Sequence, residues 1–220
     1  MNSRSIKYWG ILSEKNIFYI MLFSLVFLAY YKFMGSGSAG ETFGNICKGY
    51  VIVSTVGTFM VSVMSLKGNI NQVLAFGSLR KEAFLGVEFY TAISVVQCVF
   101  IYLILGLLTH NYGITKLNTV EMVLMYIGML LIAHATAQII SDISMNKGRG
   151  SILTGSIATA LIVAAFIAMI VIYMGMCFDS VFTENAVLFG NINIIAGIVC
   201  YAVAVYFNFS GIKKYDVKQS

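Results

Sequence analysis

The sequence predicts an all-α integral membrane protein with six transmembrane helices, an N-terminal interfacial helix and a structured, basic cytosolic segment between spans 2 and 3. Three observations lead there. Hydrophobic residues make up 59% of the 220 positions and charged residues only 10%, with a mean hydropathy of +0.87, outside the range of soluble domains. Six apolar runs reach membrane length, since about 30 Å of hydrocarbon takes roughly 20 helical residues. Eleven of the fourteen Lys and Arg residues fall on one side if both termini are placed there, a strong positive-inside bias. Runs such as IMLFSLVFLAYY lack the two-residue alternation of a barrel strand, so helices are the expected spanning form. One domain, 1–220, accounts for the chain.

Within residues 1–16, Ile6, Tyr8, Trp9, Ile11 and Leu12 mingle with Arg4, Lys7, Glu14 and Lys15. This composition suits a short helix in the headgroup layer, with Tyr8 and Trp9 as interfacial anchors. The spans are expected at 17–34, 46–66, 87–109, 120–140, 152–176 and 187–209. The first run follows basic residues as a signal peptide would, but its apolar core is too long and five more spans follow, so it is expected to be retained. Gly and Ser in 35–45 mark a turn. The second span carries Ser54, Thr58, Ser62 and Ser65 on one helical face, a stripe suited to close helix packing or to a subunit-facing or substrate-facing seam.

Between spans 2 and 3, residues 67–86 read KGNINQVLAFGSLRKEAFLG. Ile70, Val73 and Leu74 share a helical face, Gly77 and Ser78 supply a bend, and Arg80 and Lys81 open a second apolar stretch through Ala83, Phe84 and Leu85. Glu88, just beyond, suits either a salt bridge to Arg80 or a helix N-terminus. In the fourth span His134, Gln138 and Asp142 stand at i, i+4 and i+8. An ionisable residue inside a span suggests function, so His134 is a candidate for a proton path or, neutral, for an interhelical hydrogen-bond network. Ser151, Gly155 and Thr159 give the fifth span a small-residue stripe. Residues 177–190, CFDSVFTENAVLFG, are apolar enough for a half-inserted outer element.

The chain has no Pro, so broken helices of the kind many ion-coupled carriers use would have to rely on Gly. Cys47, Cys98, Cys177 and Cys200 are scattered singly, without metal-binding spacing, and read as packing residues. Cys47 and Cys177 lie near outer span ends, where a disulfide remains an alternative. No metal cluster, nucleophile elbow or phosphate-binding loop can be assembled from the sequence. No ATPase site of its own is therefore expected, no cofactor bound by this chain and, since topology accounts for the basic residues, no nucleic-acid partner.

The string FGSLRKEAFLG resembles the loop between spans 2 and 3 of the membrane subunits of type-2 ABC exporters, particularly the short permeases of Gram-positive bacteria. Phe76, Gly77, Arg80, Lys81, Phe84 and Gly86 match that pattern, whereas Glu82 replaces the apolar residue common there. The resemblance implies a cytosolic coupling helix between spans 2 and 3, at 71–84, with ATPase docking by Val73, Leu74, Phe76, Gly77, Arg80, Lys81 and Phe84. It implies a bacterial plasma-membrane complex of two ABC ATP-binding subunits, carrying ATP and Mg, with a second permease subunit, identical or paralogous. Ser54, Thr58, Ser62, His134 and Gln138 would line the translocation path or a helix seam. The cargo expected from such apolar spans is a hydrophobic or amphipathic peptide, lipid or drug. A nonenzymatic membrane scaffold or sensor-associated subunit, and a proton-coupled carrier using His134, are the alternatives.

Overall fold

Long apolar runs uninterrupted by Pro give long helices, because each backbone polar group in lipid must be satisfied within its own segment. The computed structural model describes residues 3–34, 39–75, 80–110, 120–145, 160, 163–164, 167–168, 170–173 and 186–214. They form α1 (Ser3–Met34), α2 (Ala39–Ala75), α3 (Arg80–His110), α4 (Val120–Met145) and α5 (Ala186–Lys214). At 26 to 37 residues these helices are about 39 to 56 Å long, more than the hydrocarbon layer needs. Three stretches are long and apolar enough to cross a membrane: Arg80–Leu107, Val120–Ile143 and Val187–Gly211. A fourth crossing is available if Lys48–Val63 and Gly68–Leu74 of α2, which meet at a bend of 43°, count as one span. The expected fifth span lies mostly outside the described residues, and those described between 160 and 173 are helical.

Side-chain pairings set the direction of every helix. Ser54 meets Tyr126 and Ser62 meets His134, so α2 and α4 are parallel. Trp9 lies on Gly86 and Ser13 faces Ser94, so α1 and α3 are parallel. Tyr8 with Gln72 and Ile20 with Gly57 make α1 and α2 antiparallel. Phe84 with Phe209 and Glu88 with Tyr201 do the same for α3 and α5. Gly190 packs on Glu121, Gly197 on Gly128 and Gly211 on Asp142, so α4 and α5 run the same way. The segment between them therefore returns the chain to the end where α4 began. Tyr173, whose hydroxyl donates to the Lys48 carbonyl at 3.3 Å, marks its arrival there.

One end of the bundle consequently gathers the start of α1, the α2–α3 turn and the last residues of α4 and α5. The exposed Lys7, Arg80 and Lys81 are at this end, which agrees with the grouping of basic residues expected from the sequence.

The exposed surface is rich in apolar side chains, and polar ones are buried beside the apolar core. Phe18, Val26, Phe100, Leu107, Ile195 and Tyr206 are exposed, while Ser13, Asn16, Ser62, His134, Gln138 and Asn193 are buried. Apolar side chains suit a lipid-facing surface, and polar ones hold helices together inside it. Helix α4 is the axis: 72% of its most apolar window is buried, against 33% for α3 and 22% for α5. A Cβ on Gly128 would stand 2.5 Å from the Asn193 carbonyl oxygen, and one on Gly197 would stand 2.8 Å from Gly128 Cα. Only the missing side chains let these two backbones touch.

The N-terminal segment corrects an expectation. No interruption sets 1–16 apart from the first span, because α1 is a single helix from Ser3 to Met34. Trp9, expected in the headgroup layer, is fully buried beside Ala83, Val87 and Tyr90. Its indole occupies the space that a Cβ on Gly86 would fill, so burial against a glycine replaces the interfacial site. The outer element at 177–190 falls outside the described residues as far as 185; its last residues, 186–190, begin α5. Cys47 and Cys177 have no described side chains, whereas Cys98 and Cys200 carry free thiols.

Candidate functional site

At the basic end, the final turns of α2, Gly68–Leu74, meet the preceding part of that helix at a bend of 43°. Ile70, Val73 and Leu74 repeat at i, i+3 and i+4, and all three are buried in a cluster with Trp9, Leu66, Ala83, Val87 and Tyr90. The Tyr8 hydroxyl reinforces the clamp from α1, lying 2.5 Å from Asn69 Oδ1 and 2.9 Å from Gln72 Oε1. Val73 and Leu74 therefore do not offer the docking surface that the resemblance assigned to them. Burying their apolar area against the chain's own helices is favourable, by roughly 1.5–3 kcal/mol per large side chain, and fixes the elbow to the bundle. Phe84 is half-buried, its ring edge-on to Phe209 with centroids 5.3 Å apart. Arg80 and Lys81 are exposed, as are Gln72 and Leu85. Phe76 and Gly77 lie outside the described residues. Of the seven docking residues named from the sequence, the basic pair alone is both described and exposed.

Above the elbow a polar seam joins four helices. Asn16 Nδ2 donates to the Tyr90 hydroxyl at 2.5 Å, and Ser62 Oγ lies 3.4 Å from both the Tyr90 hydroxyl and His134 Nδ1. The Tyr90 and His134 rings meet edge to face at 5.8 Å. Gln138 Nε2 donates to Thr91 Oγ1 at 3.4 Å, and Ser54 Oγ lies 2.7 Å from the Tyr126 hydroxyl. The seam residues named from the sequence, Ser54, Thr58, Ser62, His134 and Gln138, are thus all buried at helix contacts. Among the described residues, His134 Nε2 and Gln138 Oε1 have no hydrogen-bond partner. The stripe from His134 to Asp142 is not one continuous chain: His134 addresses α2, Gln138 addresses α3 and the Asp142 carboxylate lies on Gly211 of α5. Among the described residues no group of His, Cys, Asp and Glu is placed to hold a metal ion.

Glu88 holds the other half of the same region. Its carboxylate accepts hydrogen bonds from the Tyr201 hydroxyl and, at 3.4 Å, from Asn208 Nδ2. Two neutral donors from α5 are thus among its partners. Neither Tyr90 nor the Glu88 pairing was singled out from the sequence as part of a site, because nothing local announces partners more than a hundred residues away. A Tyr within a span beside Glu was the only available signal.

On the outer flank, α1 and α2 enclose an open groove of about 870 Å³. Its shaft is apolar, and its polar residues collect toward the basic end. Comparison with known protein families, curated proteins and solved structures found no match.

Proposed function

We propose that this chain is the membrane-spanning permease subunit of an ATP-driven ABC exporter, one of six spans with both termini cytosolic, in the plasma membrane of a bacterium. The observation carrying this reading is the elbow: a bent, tightly clamped helix end that presents Arg80 and Lys81 to solvent where the basic residues gather. A handle must be accessible on one side and rigidly attached on the other, and Trp9, Ile70, Val73 and Leu74 supply the attachment. Two ATP-binding subunits, carrying ATP and Mg, would dock on the basic pair of this chain and of a second permease, identical or paralogous. Their closure would rotate the elbow, and the elbow would tilt α2 and α3 as rigid rods. The parallel course of α4 and α5 supports six crossings, since one more is needed between them. An apolar lining with few polar groups suits a hydrophobic or amphipathic cargo such as a peptide, lipid or drug.

The experiment is purification of the tagged chain from its native membranes in mild detergent, with ATPase activity and subunit stoichiometry measured. One ATPase per chain is expected. Replacing both basic residues, Arg80→Glu with Lys81→Glu, should remove the ATPase and leave the thermal stability of the chain within about 0.5 kcal/mol, as for exposed positions. Retention of a stoichiometric ATPase by the double variant would overturn docking at this site. Absence of an ATPase from the unaltered complex would overturn the exporter reading and favour a scaffold. The carrier alternative is weakened by the seam, where His134 meets Ser62 and Tyr90 and, among the described residues, no second carboxylate or imidazole is shown in contact with it.

A further inference from the structure

The α1–α2 groove differs from the rest of the lipid-facing surface in being concave and in having two chemically distinct ends. Tyr19, Ile20, Ile52, Val56, Met60 and Val61 form its shaft, with Gly57 set between them. Lys15, Asn16, Asn69 and Gln72 stand at the other end. Among the described lining residues Lys15 is the only charged one, and no acid stands with it. From Ile52 to Asn69 the groove follows seventeen residues of α2, about 26 Å of helix, a length comparable to one leaflet's acyl chain and headgroup together. Its volume of about 870 Å³ falls within the roughly 300–1,000 Å³ of small-molecule clefts.

We infer that this groove is a specific site for one membrane phospholipid with an anionic headgroup, its acyl chain in the shaft and its phosphate at Lys15 with the Asn69 and Gln72 amides. Three features select this occupant. The apolar shaft lies at the depth of a lipid tail, because it begins beyond the elbow and climbs along the membrane part of α2. The single positive charge lies at the bundle's basic end, where headgroups of that leaflet are found. Gly57 leaves room, since a Cβ there would come no closer than 3.4 Å to Ile20 Cγ1 and would meet only ordinary packing. A zwitterionic lipid would fill the shaft equally but would gain less at Lys15, as a basic residue near the headgroup layer favours anionic lipid. This inference does not depend on the exporter reading, and a scaffold with the same fold would carry the same lipid.

The test is photolabelling of the purified full chain in vesicles that contain phosphatidylglycerol or phosphatidylcholine bearing a diazirine in the acyl chain, with the labelled peptides mapped by mass spectrometry. Labels are expected on the 52–61 and 19–20 stretches, about fivefold more from phosphatidylglycerol than from phosphatidylcholine, which is the selectivity one lysine supplies. Lys15→Glu, an exposed change that should fold normally, is expected to bring the two lipids to parity or reverse their order. Val56→Trp is expected to abolish labelling of the shaft while leaving labels at Val96 and Phe100 on the convex face of α3. Equal labelling by both lipids in the unaltered chain, or uniform labelling of groove and convex face, would overturn the inference. So would cross-linking of Met60→Cys to a second copy with the shaft unlabelled, since the occupant would then be protein. Loss of lipid labelling would leave ATPase co-purification unaffected, so the two proposals fail separately.

Discussion

The α4–α5 contact and the α1–α2 contact are both helix pairs in the same bundle, yet they are built on opposite principles. In the first, Gly128 and Gly197 bring two backbones together until no side chain fits between them. In the second, α1 touches α2 at Tyr8 near the elbow and at Ile20 deeper in, and leaves a groove of about 870 Å³ beside the contacts. The α1–α2 pair also contains the 43° bend, between Val63 and Gly68. Close backbone packing makes a unit that moves as one body, whereas an open contact with a bend beside it can change shape at small cost.

Glycine substitutions separate these two regimes most sharply. Gly128→Leu is expected to cost more than about 3 kcal/mol, beyond the usual range for overpacking, because the obstruction is the Asn193 carbonyl of the facing backbone. Thermal unfolding in one detergent, read as the fraction of monodisperse protein, should show loss of the folded chain. Next in size is the Glu88 contact, which ties α3 to the rigid block: Glu88→Gln should lower stability by about 1–2 kcal/mol, the upper part of the range for interhelical polar contacts. Tyr201→Phe should reproduce most of that loss, and the double variant should fall short of additivity. His134→Gln should cost about 0.6–1 kcal/mol, and transport by the reconstituted complex should keep its pH profile. A flattened pH profile would instead give His134 a role in proton movement. The smallest effect is expected at Gly57→Ala, a shift of no more than about 1 kcal/mol in the stabilising direction from helix propensity. A large loss there would erase the contrast between the two contacts.

Much of the architecture was legible in the residues, and the reasons are physical. Apolar length alone sets a membrane helix, so α3, α4 and α5 begin and end within a few residues of their expected spans plus polar extensions. Among the described residues, the exposed Lys7, Arg80 and Lys81 also lie at one end, as the helix pairings require. What the residues concealed was which face each helix turns inward. Val73 and Leu74 have the spacing of a docking face, but the same spacing serves burial against Trp9, and a sequence cannot say which surface arrives first. Trp9 itself has the chemistry of an interfacial anchor and is drawn inside by the gap at Gly86. The hydroxyl stripe of α2 was correctly seen as a contact face, yet its partners, Tyr90 and Tyr126, come from two different helices. Glu88 found its donors 113 and 120 residues downstream, a distance over which no local pattern operates.

Which side of the membrane the elbow faces tests the account most directly. A cysteine replacing Lys81, probed with a membrane-impermeant maleimide, should react in inside-out vesicles and stay unmodified in intact cells. Reaction in intact cells would place the handle beyond the reach of any cytosolic ATPase and would contradict the account.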